Sequence, residues 1–318
     1  MLIRLRKLFE RLQIQVVLYF PFTRLLLAKV ARSGVQYNYF MHIIIGIFGI
    51  LMLPVAAVSS AYNKIRGRFV IGQVTMVITT RCNLKCKKCS SMMPLYEHPQ
   101  DMMLVDVLSD IERFLEAVDH VYAYQLLGGE PFLNKDIAEI IKKLLSSKKI
   151  SSINIVTNGG VLPKKDALLV MKDKRVKIQI SGYPQNLVPN YPKFIKALDD
   201  NGIQYAYSKD QKWKDLGDKT FINRTPAQKK EVFSLCAFTL CNHLLNGRYY
   251  VCPVAADGMN VGILPEVKSD YVDIRDLSAQ EAREKLKQLL KKRHMSTCDY
   301  CEGNTFLSKT IPAAEQLR

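Results

Sequence analysis

Between residues 70 and 208 the hydrophobic period of the chain switches repeatedly, and this alternation restricts the fold more than any other feature. Apolar, β-branched runs at 74–79, 121–127, 153–157, 176–181 and 204–207 read as strands. Between them, 105–118 carries Val105, Ile111, Phe114, Leu115 and Val118 on one helical face. Residues 136–145, 167–171 and 192–199 read as further helices. Strands that alternate with helices must be joined by crossovers, so the segment predicts a parallel sheet or barrel with right-handed connections. Past residue 208 the alternation fades. Residues 209–230 are polar and basic and read as a linker, 231–305 contain five cysteines and a charged helix at 279–293, and 306–318 read as a tail.

The N-terminal 68 residues differ from the rest. They hold ten basic side chains against the single acid Glu10, within a chain of net charge +17. Leu5, Leu8, Phe9 and Leu12 recur at helical spacing opposite Arg4, Lys7 and Arg11, and no Lys, Arg, Asp or Glu occurs from Ser33 to Asn63. Cations interleaved with apolar residues predict an amphipathic arm on an anionic membrane surface, and nucleic acid is the less favoured partner. The stretch 40–58 is long enough to span a bilayer. Basic flanks on both sides argue instead for a re-entrant or interfacial segment, with the catalytic body in the cytoplasm, attached to the inner face of the membrane through residues 1–65. The bland alternative is a buried helix packed on the barrel.

Eight cysteines remain to be explained, and their spacings are those of metal ligands rather than of a disulfide framework. Cys82-x3-Cys86-x2-Cys89 directly follows the first strand, the end at which parallel barrels place their chemistry. Three thiolates can hold three irons of a [4Fe–4S] cube and leave the fourth open for a small molecule. A zinc site would need a fourth ligand, and nothing in the spacing recommends His98.

This motif resembles the signature of the radical S-adenosylmethionine (SAM) superfamily, and three further segments match in order. Gly128-Gly129-Glu130-Pro131 closes the second strand like the family's GGEP motif, Thr157-Asn158-Gly159 closes the third like its TNG segment, and Ser181-Gly182 closes the fourth where a polar ribose contact is frequent. The sequence departs at Lys88, where the family usually has an aromatic residue. The resemblance implies a partial (β/α)6 TIM-type barrel over 69–208. It also implies SAM bound through its amino and carboxylate groups to the open iron, with contacts from Gly128, Gly129, Glu130, Asn158 and Ser181. It implies an electron from a low-potential donor such as flavodoxin or ferredoxin, and a 5′-deoxyadenosyl radical that abstracts hydrogen from the substrate.

Cys236-x10-Gly247-x4-Cys252 and Cys298-x2-Cys301 resemble the family's SPASM or shorter twitch extensions. They imply a small auxiliary domain over 231–305 with a second [4Fe–4S] cluster on Cys236, Cys252, Cys298 and Cys301. Cys241 is the alternative to Cys236, His243 reads as a neighbour rather than a ligand, and zinc is the rival metal. The favoured expectation is oxidation or epimerisation of a small substrate, a sugar, polyol or nucleotide-linked sugar of surface-polysaccharide type. The rivals are a peptide or protein maturase, a tRNA-modifying enzyme and a non-enzymatic iron–sulfur scaffold. No catalytic acid or base stands out, although Tyr183 follows the fourth strand.

Overall fold

The computed structural model describes residues 61–63, 65–208 and 212–317. The strands are β1 (Val70–Val77), β2 (His120–Leu127), β3 (Ile150–Thr157), β4 (Val176–Ser181), β5 (Tyr205–Ser208), β6 (Lys212–Lys214), β7 (Asn242–Leu245), β8 (Arg248–Tyr250), β9 (Tyr271–Asp273) and β10 (Thr310–Pro312). The helices are α1 (Leu104–Ala117), α2 (Ile137–Ser146), α3 (Lys165–Val170), α4 (Tyr191–Asp200), α5 (Pro226–Leu235), α6 (Pro253–Asn260) and α7 (Ala279–Lys291). The expected α/β alternation is present, with no bound moved by more than four residues.

One eight-stranded sheet runs β5-β4-β3-β2-β1-β7-β8-β9. Every pair from β5 through β1 to β7 is parallel, and the β7–β8 and β8–β9 pairs are antiparallel. The arrangement is the partial TIM-type barrel that the alternation and the motifs predicted. Its sixth parallel strand, β7, falls inside the segment read as a separate auxiliary domain. It pairs in register with β1 (Val74 with Asn242, Thr75 with His243, Met76 with Leu244), so the boundary at 231 cuts through a shared sheet. The β7–β8 turn is Asn246-Gly247, with φ of 51° and 75°. Two consecutive left-handed residues make the two-residue hairpin loop that Asn-Gly favours.

The two faces of the sheet follow from strand periodicity. Val74, Met76, Ile78, Tyr124, Leu126, Ile153, Ile155, Ile178 and Ile180 are buried on one face against Ile111, Phe114, Ile140, Ile141 and Leu144 of α1 and α2. Alternate residues point the other way, and the register aligns Tyr271, Tyr250, His243, Thr75, Gln125, Asn154 and Lys177 in one row across seven strands. The face away from α1 and α2 therefore carries a polar band, which α6 covers at the β7–β8 end, where Tyr250 packs with Ala255 and Ala256. The C-terminal region is tied to the core by Arg275, whose Nε and Nη2 donate to the two oxygens of buried Asp110 at 2.8 and 2.9 Å.

Two sequence expectations change. The linker 209–230 contains a strand, β6, and runs into α5, which is closed by a Thr225–Gln228 capping box. Residues 306–317 are not a free tail, because β10 pairs with β6 and the chain then crosses the first cysteine loop. A short strand without its own hydrophobic alternation is set by its partner, which a local reading does not see. The arm expected at a membrane surface lies outside the described residues except for 61–63 and 65–68, and so do its helix and its candidate span at 40–58. Among the described residues no helix is long and apolar enough to cross a membrane.

Candidate functional site

The site is assembled where β1, β2, β3 and β4 end. After β1, Gly129 N donates to Thr79 O (2.9 Å) and Glu130 N to Arg81 O (2.8 Å), which locks the Gly-Gly-Glu loop against the start of the cysteine loop. The contact is too close for any side chain. A Cβ on Gly128 would lie 2.3 Å from Thr79 O, and one on Gly129 would lie 2.2 Å from Arg81 O and 2.8 Å from Cys82 Cβ. Both glycines are thus explained by close backbone approach.

Glu130 is fully buried, and its carboxylate is occupied internally. Oε1 accepts from Thr157 Oγ1 (2.7 Å) and Phe132 N (3.3 Å), and Oε2 accepts from Asn158 N (2.9 Å). Burial pushes the carboxyl up to about 7, against the pull of these donors. Geometrically, Glu130 staples the second strand end to the third rather than presenting a free acceptor. Asn158 continues the chain of contacts, its Nδ2 donating to Asn83 Oδ1 (2.8 Å) and its Oδ1 accepting from Gly160 N (2.7 Å). Ser181 ends β4, and its O accepts from Tyr183 N (3.0 Å). The Tyr183 phenol is raised chiefly by burial and then by Cys86, Cys89 and Cys82, so it faces all three thiols of the loop.

Burial pushes Cys82 up to about 12 and Cys89 up to about 11 and also raises Cys86. Partly compensating donors are Leu84 N on Cys82 Sγ (3.4 Å) and Gln316 Nε2 on Cys86 Sγ (3.2 Å). Lys88 turns to ion pairs with Asp218 (2.7 Å) and Asp215 (3.5 Å), joining the cysteine loop to the segment before α5. His98 is exposed.

The remaining cysteines form a second group. Cys252 is raised well above the thiol range, first by burial and then by Cys236, Cys301 and Cys298. Cys298, raised by burial to about 11, also feels Cys236 and Cys301. Cys241 is raised to about 11 by burial and feels only Cys236. Cys236, Cys252, Cys298 and Cys301 thus act on one another electrostatically, whereas the one thiol among the causes at Cys241 is Cys236. Asn304 N donates to Cys236 Sγ and Gly303 N to Cys301 Sγ, each at 3.3 Å. His243 belongs to neither group. It is buried, its Nδ1 lies 3.0 Å from Cys241 O, its Nε2 has no partner among the described residues, and burial lowers it to about 4.

All eight thiols are free. Among the described residues no three His, Cys, Asp or Glu side chains converge on a point where one metal ion would sit. Zinc draws its thiolates to about 2.3 Å from a single centre, whereas a cubane gives each thiolate its own iron.

Sequence reading missed Asp257. It lies on α6, whose N-cap is Cys252, and its side chain reaches the other group, raising Cys89 and Tyr96. It is fully buried, and neither oxygen completes a hydrogen bond, although the Ser91 hydroxyl eases it. Burial drives its carboxyl well above the usual range. Only the Asp in an otherwise apolar Pro-Val-Ala-Ala-Asp-Gly helix signalled it.

Residues 76–201 match the model of the radical SAM superfamily. The chain carries a radical SAM domain. The superfamily implies a [4Fe–4S] cluster and SAM, which the three free thiols of the first loop and the glycine cradle beside Cys82 fit. Among curated relatives, a GTP 3′,8-cyclase of Lactiplantibacillus plantarum is 36% identical over 93 residues, 29% of this chain and 27% of that protein. A GTP 3′,8-cyclase of Listeria welshimeri is 33% identical over 139 residues, 42% of this chain and 40% of that one. The match spans less than half the length of either relative. Of solved structures, BtrN in complex with AdoMet is similar at 15% identity and a TM-score of 0.49, covering 75% of this chain and 98% of that one. The corresponding values for native anSMEcpe with bound AdoMet are 12%, 0.46, 73% and 88%. Likeness at this level carries no substrate.

Proposed function

We propose that this radical SAM enzyme abstracts hydrogen from a small, hydroxyl-rich substrate, a sugar, polyol or nucleotide-linked sugar, held against the polar face of the sheet. The observation that carries this reading is the polar row His243, Thr75, Gln125, Asn154 and Lys177 on a face that an ordinary barrel core would fill with aliphatic side chains. Buried amide, hydroxyl and imidazole groups suit a ligand rich in hydrogen-bonding groups.

In this reading Cys82, Cys86 and Cys89 hold the SAM-binding cluster, and Cys236, Cys252, Cys298 and Cys301 hold a second [4Fe–4S] cluster. When bound, the first cluster and SAM supply reductive cleavage of SAM to methionine and a 5′-deoxyadenosyl radical. The chain's own share is orientation and exclusion of water. With SAM bound, the backbones of Gly128 and Gly129 would meet its ammonium and Asn158 and Ser181 its carboxylate and ribose, while Glu130 holds those loops together. Asp257, whose carboxyl burial drives well above the usual range, offers two oxygens without a hydrogen-bond partner among the described residues, which suits a substrate hydroxyl between the two cysteine groups. The composition of residues 1–65 supports a workplace on an anionic membrane surface.

A nucleotide substrate is the second reading, favoured by the GTP 3′,8-cyclases that match this domain. A SPASM-type peptide maturase stands behind both. The test is anaerobic reconstitution with iron and sulfide, followed by SAM and dithionite. 5′-Deoxyadenosine is expected, and none from cluster-loaded protein would overturn the enzyme reading. A panel of polyols, nucleotide-linked sugars and GTP then ranks the substrates. Stimulation by GTP alone would replace the first reading by the second.

A further inference from the structure

Residues 310–317 form a strap over the first cysteine loop. β10 pairs antiparallel with β6, setting Ile311 opposite Trp213, whose ring meets Tyr183 edge-on at 6.0 Å. Beyond β10, Ala314 adopts a left-handed φ of 56° although it is not glycine, and it is buried with Leu84, Cys86 and Val188. A residue held in that region signals surroundings that determine it. The strap then pairs with the cysteine loop itself, Lys87 N donating to Glu315 O (2.7 Å) and Leu317 N to Lys85 O (2.8 Å) around a bridge between Cys86 and Gln316.

This pairing fixes the Gln316 side chain. Its Oε1 accepts from Lys85 N (2.8 Å). A backbone N–H only donates, so the atom facing it must be the amide oxygen. The amide nitrogen therefore faces the other way, where it donates to Ala314 O (2.7 Å) and to Cys86 Sγ (3.2 Å). Thus a side chain 230 positions away in sequence places an oriented N–H on one of the three cysteine sulfurs.

We propose that Gln316 is a positioning residue that sets the reduction potential of the SAM-binding cluster through its N–H···S bond to Cys86. The inference rests on the reading that Cys86 ligates that cluster. A hydrogen bond to a ligating thiolate favours the more negatively charged, reduced state and so raises the potential. The strap also shields the loop from water on the Cys86 side, so its loss exposes the sulfur.

The test uses the full-length reconstituted protein and follows the reduced-cluster EPR signal that changes when SAM is added, which singles out the first cluster. Gln316→Met keeps the bulk and removes the donor, and Gln316→Glu keeps the acceptor for Lys85 N and replaces the donor by a carboxylate. Both are expected to lower the potential, Gln316→Met by roughly tenfold in the reduced-to-oxidised ratio, about 59 mV for one electron, and Gln316→Glu by more. An unchanged potential in Gln316→Met, or loss of iron from it while Gln316→Glu retains both iron and the parent potential, would overturn the proposal in favour of packing alone. Failure of the underlying reading looks different. In that case Cys86→Ala would leave the SAM-responsive signal intact whatever Gln316 does.

Discussion

The two cysteine groups are built in opposite ways. The first sits on the ends of consecutive parallel strands, and its loop is locked by backbone contacts to Thr79 and Arg81 and by the Glu130 carboxylate. The second is gathered from the turns around Cys236 and Cys298 and from the N-cap of α6. Charged side chains hold it in place. Arg224 donates to Cys298 O (2.6 Å) and Cys301 O (3.0 Å), and Lys229 pairs with Asp299 at 2.6 Å. The difference teaches that the sheet preorganises one site, whereas the other depends on a few ion pairs and on whatever binds its thiols.

The largest expected effect is on chemistry. Replacing Cys82, Cys86 and Cys89 together by Ala should abolish 5′-deoxyadenosine formation and leave about half the iron, carried by the second group. Loss of all iron by metal analysis would show that the two groups are not independent.

Gly129→Ala should come next. Its Cβ would stand 2.2 Å from Arg81 O, a backbone atom with no way to yield. We expect loss of SAM cleavage and a destabilisation of about 3 kcal/mol, at the upper end of overpacking costs. A near-parental denaturation midpoint with full activity would break the claim that the first site is rigid.

Asp299→Ala should act on the second group alone. It removes the partner of half-buried Lys229 and should cost about 1–3 kcal/mol, with weakened iron retention there. SAM cleavage should persist, and its disappearance would mean that the second site supports the first.

The pH dependence sharpens the comparison further. Folded Glu130 is raised to about 7 from the ordinary glutamate value of 4.5, so between those values the folded protein holds a proton that the unfolded chain has released. Its contribution to stability is therefore present below 4.5 and declines as pH rises toward 7. Glu130→Gln should flatten that part of the profile in urea titrations of the metal-free protein. An unchanged slope would place the titrating group elsewhere.

The smallest effect should come from Cys241→Ser, which ought to leave iron content near the parent's, unlike Cys252→Ser. Equal losses from both would promote Cys241 to a ligand.

Much of the first site was legible because its parts are local. A β-branched run followed by Cys-x3-Cys-x2-Cys, and glycine or asparagine at the next strand ends, are short-range patterns with physical causes. Asp257 was not legible, since a lone Asp in a short helix becomes notable only when its burial and missing partners are seen. The role of Lys88 was hidden for the same reason, because its acids lie at 215 and 218, far along the chain. The Asn246-Gly247 hairpin was open to view but was overshadowed by the spacing of Gly247 to Cys252.

By itself, the sequence determined the strand–helix alternation, the parallel sheet and the three-cysteine loop, because period and turn chemistry act over a few residues. Only the tertiary structure decided that β7 completes the sheet beside β1, that β10 pairs with β6, and that Gln316 reaches Cys86. Those depend on long-range pairing, where the partner of a short strand or a buried donor is set by what packs against it rather than by its neighbours in the chain.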